Sequence, residues 1–595
     1  MIPSMNSLRV RRSTRRASNR PGHNLVVRRW RSMRHGGEER GFIAVMIAIM
    51  MPVVFLGFAA LAVDVARIYA EAEALQKTVD AAALGGTVYL PNDFNKATAT
   101  ASDVATRNGY TIDGTKVTFT TAVDKRPTQL RVTMTSTIPT FFGGALGVFN
   151  TTVTRSAVAE YAGPVPMGSP CNIFGAESME GYLAGKGYPN QGSISSANCD
   201  PSAGTYWVNT AGKNVNKARG DAFQSGWCTV GDIPGQIDGC GPLSGVPNPG
   251  VNNEYSASGY IFTVRVKTAG FLTLQGYDIA YAAVGDHCDQ AAGMPGAAGK
   301  VNDFTTNVNE SKERYKVGDS PFCSGDAEYS GNQGDGSAPQ TEVTVRGESS
   351  TPWNQLDGPQ LCKRTFAGWK NNTAYATALD KANPAYQKPL AEVYHRWASL
   401  CSQYSANSSF WATPGDYSVQ IRSIGGGGQN RYALRASLSG NNAGVSIFGS
   451  GKVSLYNNVP AGTTNFYLTR LDTSTAGKQL SLQFFDLADA AQPVTVTILQ
   501  PDTSSLTSGQ PFAKCDASGP ITQLNVPNCS IVTQSSTHGG KWQTVRVAIP
   551  VNYKCNADSD QSKCWVKVKL STSSGQADTT TWTAGLDGDP VRIVE

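Results

Sequence analysis

The chain has 595 residues, too many for one hydrophobic core, and a prior of about 150 residues per domain predicts three or four units. Charged residues make up only 16% of it while glycines number 62, which suits turn-rich strands and excludes a largely helical enzyme or a disordered charged tail. The net charge of +6 is local: residues 1–40 hold eleven arginines against Glu38 and Glu39, or +9, so the other 555 residues sum to −3.

The Arg-rich segment 1–40 comes first. Such a tail can grip nucleic acid or anionic lipid; the sequence favours a cytoplasmic topology determinant touching anionic headgroups, with no nucleic-acid partner. Residues 41–63, GFIAVMIAIMMPVVFLGFAALAV, then run for 23 residues without a charge. At 1.5 Å per residue a helix of that length covers roughly 34 Å, enough for a hydrocarbon core of about 30 Å. The stretch is too long for the apolar part of a signal peptide, and no clear Ala-x-Ala cleavage site follows. Arg28, Arg29, Arg31, Arg34 and Arg40 crowd its N-terminal side. The positive-inside rule therefore predicts a single pass through the cell membrane, N-terminus cytoplasmic and C-terminal bulk extracytoplasmic. The cysteines support that topology. All twelve lie between Cys171 and Cys564, and no Cys-x-x-Cys pair occurs. The set reads as disulfides made in an oxidising compartment rather than as zinc ligands, with the pairing left open.

Beyond the span the helical pattern continues in a module at 64–161. Val65, Ile68, Leu75, Val79 and Ala82 form one stripe of a helix expected to end at Gly85-Gly86, with Asp64, Arg67, Glu71, Glu73 and Lys77 on its other faces. A helix at 96–108, stopped by Gly109, and strands near 115–122, 129–137 and 150–160 complete a small α+β unit. The order of Arg40-Gly41, Pro52, Val63-Asp64-Val65, Leu75-Gln76 and Asp80-Ala81-Ala82-Ala83-Leu84 resembles the N-terminal segment of Tad (Flp-type) pilus-assembly proteins of the TadE/TadG-like kind. The resemblance covers roughly residues 40–161. It implies a membrane-anchored component of a pilus-assembly or adhesion system, with other pilus-assembly or pilin-like membrane proteins as partners. Gly41-Phe42 also resembles a prepilin cleavage point, but the fifth place after it, where an acid is expected, holds Met46. An uncleaved anchor is therefore expected rather than a shaft subunit.

Residues 162–170, AGPVPMGSP, read as a linker. After it come short alternating runs at 260–267, 271–275, 342–346, 417–423, 431–438, 453–456, 465–471, 480–485, 494–499, 544–550 and 564–570. Their length and turn-residue boundaries predict jelly-roll-like β-sandwiches. The expected fold is α+β, mainly β: a transmembrane helix and small module, then two disulfide-containing β-sandwich domains at 171–412 and 413–595. YIFTVRV followed by LQGYD (from Tyr260) echoes NFYLTRL followed by LQFFD (from Asn465). The echo is either an internal duplication or a chance likeness between strands. The ending DTTTWTAGLDGDPVRIVE, after CWVKVKL, resembles the end of exported regions in actinobacterial TadG-like proteins.

Signatures of chemistry are missing. No Gly-x-Ser-x-Gly, Gly-x4-Gly-Lys-Ser/Thr or His-Glu-x-x-His occurs. The runs from Asp472 and Asp502 each lack the last hydroxyl of the Asp-x-Ser-x-Ser site that an adhesion domain of von Willebrand type would need. His287, His395 and His538 have no visible partners and read as structural or solvated. Asp558-Ser-Asp560 and Asp587-Gly-Asp589 offer oxygens of the kind calcium takes, but such turns are more often empty. Trp207, Trp353, Trp369, Trp411 and Trp582 read as core aromatics, with sugar stacking the alternative. No catalytic, cofactor-binding or metal residue, no cofactor and no enzyme activity are expected. The runner-up to the pilus reading is an anchored lectin-like module recognising wall or host glycans.

Overall fold

The computed structural model describes residues 38–90, 93–125, 128–161, 164–175, 206–228, 237–242, 250–283, 326–328, 337–349, 351, 354–370, 375–378, 383–394, 397–402, 409–440, 442–459, 462–487, 492–501, 509–555, 563–574, 576–587 and 591–594. They divide into two compact units, one within Met1–Ala70 and Pro139–Thr151, the other within Glu71–Ile138 and Thr152–Glu595.

The first unit holds most of the apolar stretch of a 50-residue helix, Glu38–Thr87. Pro52 lies inside it, and Phe42, Ile49, Phe55 and Phe58 are among the large apolar side chains it exposes. Among the described residues it is the one helix long and apolar enough to cross a membrane.

In the second unit the same helix buries Leu75, Val79 and Ala82, the lower part of the expected stripe, and Ala83 beside it. It does not stop at Gly85-Gly86 but runs through them to Thr87. The physical reason is packing. A Cβ on Gly86 would lie 2.5 Å from the Leu130 side chain and 2.6 Å from the Ala97 carbonyl oxygen, so only glycine lets these elements approach. The second helix, Phe94–Arg107, is capped by Asp93, which accepts the Lys96 N–H at 2.9 Å, and buries Ala97, Ala101 and Ala105. Strands Val117–Val123, Gln129–Pro139, Asn150–Tyr161 and Val591–Ile593 form a four-stranded sheet in that order. The last strand comes from the far end of the sequence.

The rest is mainly β. One sheet has ten strands in the order Gln360–Phe366, Gln340–Arg346, Gly415–Ile424, Tyr260–Val266, Val445–Ser450, Pro166–Met167, Gly462–Arg470, Trp565–Thr572, Val494–Leu499 and Ser530–Thr533. The other runs Trp397–Ser399, Gly270–Tyr277, Gly428–Leu438, Tyr206–Ala211, Lys452–Val459, Gln576–Asp587, Gln479–Phe485, Trp542–Ala548, Lys514–Ser518 and Gln523–Pro527, with three short strands pairing off this path. Each of the eleven alternating runs read from the sequence is a strand in one of these sheets. Alternate side chains of both sheets meet in one core, which includes Phe262, Val264, Leu272, Leu274, Phe466, Leu482, Val568 and Trp582.

The sheets do not divide at 412. Tyr260–Val266 pairs with Gly415–Ile424, and Gln340–Arg346 pairs with the other edge of that strand. The echo in the sequence instead follows strand order. Outward from the middle of the ten-stranded sheet, 260–266, 415–424, 340–346 and 360–366 on one side answer 462–470, 565–572, 494–499 and 530–533 on the other. In the second sheet 428–438, 270–277 and 397–399 answer 576–587, 479–485 and 542–548. Register agrees to the residue: Leu272 faces Leu438 and Leu274 faces Ala436, just as Leu480 faces Leu586 and Leu482 faces Ala584. The sandwich is an internal repeat whose halves share their sheets.

Among the described residues four disulfides, Cys228–Cys240, Cys362–Cys401, Cys515–Cys529 and Cys555–Cys564, each join one cysteine to the next in the sequence, and Cys171 is also disulfide-bonded.

Candidate functional site

In the first unit, the charge that ends the apolar stretch does not face solvent. Asp64 is buried, and its carboxylate accepts three consecutive backbone N–H groups, from Phe141 (2.8 Å), Phe142 (2.9 Å) and Gly143 (2.8 Å). These open a one-turn 3-10 helix, Gly143–Leu146, whose first donors have no partner within the turn. One helical turn on, Arg67 donates to the Pro139 carbonyl at 2.9 Å, and its guanidinium lies 4.6 Å from the centre of the Phe141 ring. The sequence reading placed Asp64 and Arg67 on the faces of the helix away from its apolar stripe, without partners. Their partners lie more than seventy positions away, a separation that periodicity does not report.

In the second unit a cavity of about 250 Å³ opens on the ten-stranded sheet. Thr263 and Arg265 line it, alternating with the core residues Phe262 and Val264, so it lies on the face turned away from the core. Arg265 forms a fork with Asp416, Nε to Oδ1 and Nη2 to Oδ2, both at 2.8 Å. Arg470 meets Asp472 at 2.8 Å, and Glu160 receives Arg592 at 2.9 Å and Lys478 at 3.7 Å. Gln355 donates to both Thr263 and Ser450 at 3.0 Å. Beside the cavity, burial and the neighbouring Asp416 charge push the Glu348 carboxyl above its ordinary range. Among the described residues no histidine or cysteine lines the cavity, and its carboxylates Glu160, Asp416 and Asp472 each face a cation. Such a lining can orient a polar ligand through paired charges and hydroxyl groups.

The residues weighed from sequence scatter. His538 is buried, with Nδ1 3.4 Å from the Gln534 N–H, and burial lowers its pKa. Asp587 pairs with Arg546 at 3.1 Å. Trp207 and Trp582 are buried, as a core reading implies, whereas Trp369 is half-buried and donates to Gln387 at 3.0 Å. Trp411 is exposed and meets Phe271 edge-on at 5.2 Å. His287, His395, Trp353, Asp502, Asp558, Asp560 and Asp589 lie outside the described residues. Among the described residues no group of three or more His, Cys, Asp or Glu is placed to hold a metal ion. Sequence reasoning missed Asp278 and Asp326, both buried. Burial and then the Asp278 charge hold the Asp326 carboxyl well above its ordinary range, while the Ala282 and Arg431 N–H groups donate to it at 2.7 and 2.8 Å.

Residues 41–100 match the Tad family, described as Flp pilus-assembly TadE/G-like. The match takes in the apolar helix and the first half of the second helix. No curated protein and no solved structure matches the chain.

Proposed function

We propose that this chain is a non-catalytic, membrane-anchored component of a Tad/Flp-type pilus-assembly or surface-adhesion system. The observation that carries this reading is the Tad-family segment at 41–100 on a helix long and apolar enough to cross a membrane. The arginines before residue 41 support a cytoplasmic N-terminus, and the disulfides support an extracytoplasmic body. In this reading the helix stays uncleaved and sits among pilin-like helices of the same apparatus. The repeated sandwich acts outside, where disulfides keep its loops in place. Deleting the gene should abolish piliation or surface attachment; normal pili together with normal attachment would sink the proposal. Sequencing the mature N-terminus checks the anchor, since a chain beginning at Phe42 would mean cleavage.

A lectin-like module recognising wall or host glycans is the second reading. The exposed Trp411–Phe271 pair favours it, because aromatic faces stack on sugar rings. Retention of a 163–595 fragment on a glycan array, lost in Trp411→Ala, would support it. Absence of retention with and without calcium counts against it.

A further inference from the structure

Residues 139–151, PTFFGGALGVFNT, contain no charge. Phe141, Leu146 and Phe149 are 68, 69 and 68% exposed, and Phe142 and Val148 each 49%. Exposed apolar side chains packed this densely into thirteen residues mark an interaction surface. The segment is fixed to the point where the apolar stretch ends: Asp64 holds three of its N–H groups and Arg67 holds its Pro139 carbonyl. Both charges that follow the apolar stretch are thereby engaged. The donors of the short turn are satisfied from within the protein, as backbone in or near hydrocarbon must be. The patch continues the apolar surface of the helix, whose Leu61, Val63 and Val65 are exposed at the same level.

We propose that 139–151 is a second membrane contact: the loop lies in the headgroup–acyl boundary on the C-terminal side of the span, with Phe141, Phe142, Leu146 and Phe149 in lipid. The inference rests on the anchored-helix reading. Its occupant is lipid because the patch is contiguous with a lipid-facing helix and carries no charge to pair with a protein partner. Asp64 acts as a positioning residue, setting the depth of the loop against the end of the span. The helix and loop together then fix tilt and rotation, which a single helix leaves free.

The test uses the full chain in vesicles of phosphatidylethanolamine and phosphatidylglycerol doped with a phospholipid bearing a diazirine near its glycerol. Trypsin releases 41–67 and 132–155 as separate peptides, since neither contains an internal Lys or Arg. Light should label both, with 132–155 losing its label in the variant F141S/F142S/L146S/F149S and part of it in F149S alone, while 41–67 stays labelled. A labelled 41–67 beside an unlabelled wild-type 132–155 overturns the loop contact. Failure to label either peptide would instead reject the anchor on which the inference rests.

Discussion

Asp278 and Asp486 end equivalent strands of the two halves, both buried and both in the left-handed backbone region, at φ of 52° and 63°. They close the LQGYD and LQFFD segments, so the repeat reaches an unusual backbone conformation as well as strand order and register. Aspartate tolerates this region better than most residues, and here its carboxylate also has work in the fold. That of Asp486 accepts the Gly540 N–H at 2.6 Å. Asp486→Ala should therefore cost about 2–4 kcal/mol in urea unfolding, combining left-handed strain with an orphaned buried donor. Asp486→Gly should lose only the second part and be the milder of the two.

Because one core runs through both halves, truncation in either should shift the same transition. Trp582 is fully buried, with Phe466 and Phe484 rings centred 5.4 and 5.0 Å away. Trp582→Ala should destabilise by about 3–5 kcal/mol and Leu274→Ala by about 2–5 kcal/mol. Near- and far-ultraviolet circular dichroism should report coincident melting in each. Two separated melts would mean that the halves fold independently.

Three of the disulfides close short loops, with sequence separations of 12, 14 and 9. Cys228–Cys240 spans a sequence separation of 12, and replacing both cysteines by alanine should cost about 2–4 kcal/mol by loosening the unfolded chain's constraint. Thermal melts with and without a reductant check this: wild type should fall on reduction by more than the double mutant does.

His538 supplies a pH dependence with a definite sign. Burial holds its folded pKa below the ordinary 6.5, so the neutral ring is the one the fold prefers. Its contribution is complete above pH 6.5 and is lost as pH falls from there towards the lowered value. His538→Gln should flatten the fall in melting temperature between about pH 7 and 5; an unchanged slope would remove the ring from the account.

The strands were legible because alternation bounded by Gly, Asn and Pro records a surface with one buried face. The two-residue strand Pro166–Met167 was hidden, since two residues have no period and its residues resemble a linker. The division at 412 misled for a related reason. Thr413-Pro414-Gly415 has the chemistry of a fresh start, yet the strand it opens runs between two earlier ones. Pairing partners are chosen by the whole fold rather than by local composition. The Asp64 contact was invisible on the same ground: an aspartate ending an apolar stretch has the same local pattern whether water or a distant loop receives it.

Pro166–Met167 pairs on one side with Val445–Ser450 and on the other with Gly462–Arg470, and the Gly168 N–H adds a bond to the Leu468 carbonyl at 2.9 Å. The polypeptide therefore enters the sandwich along its central seam, bonded to both repeats at once. A pull along the chain at residue 161 would therefore bear on both halves through that seam, and on the second half also through Val591–Ile593, which pairs with Asn150–Tyr161.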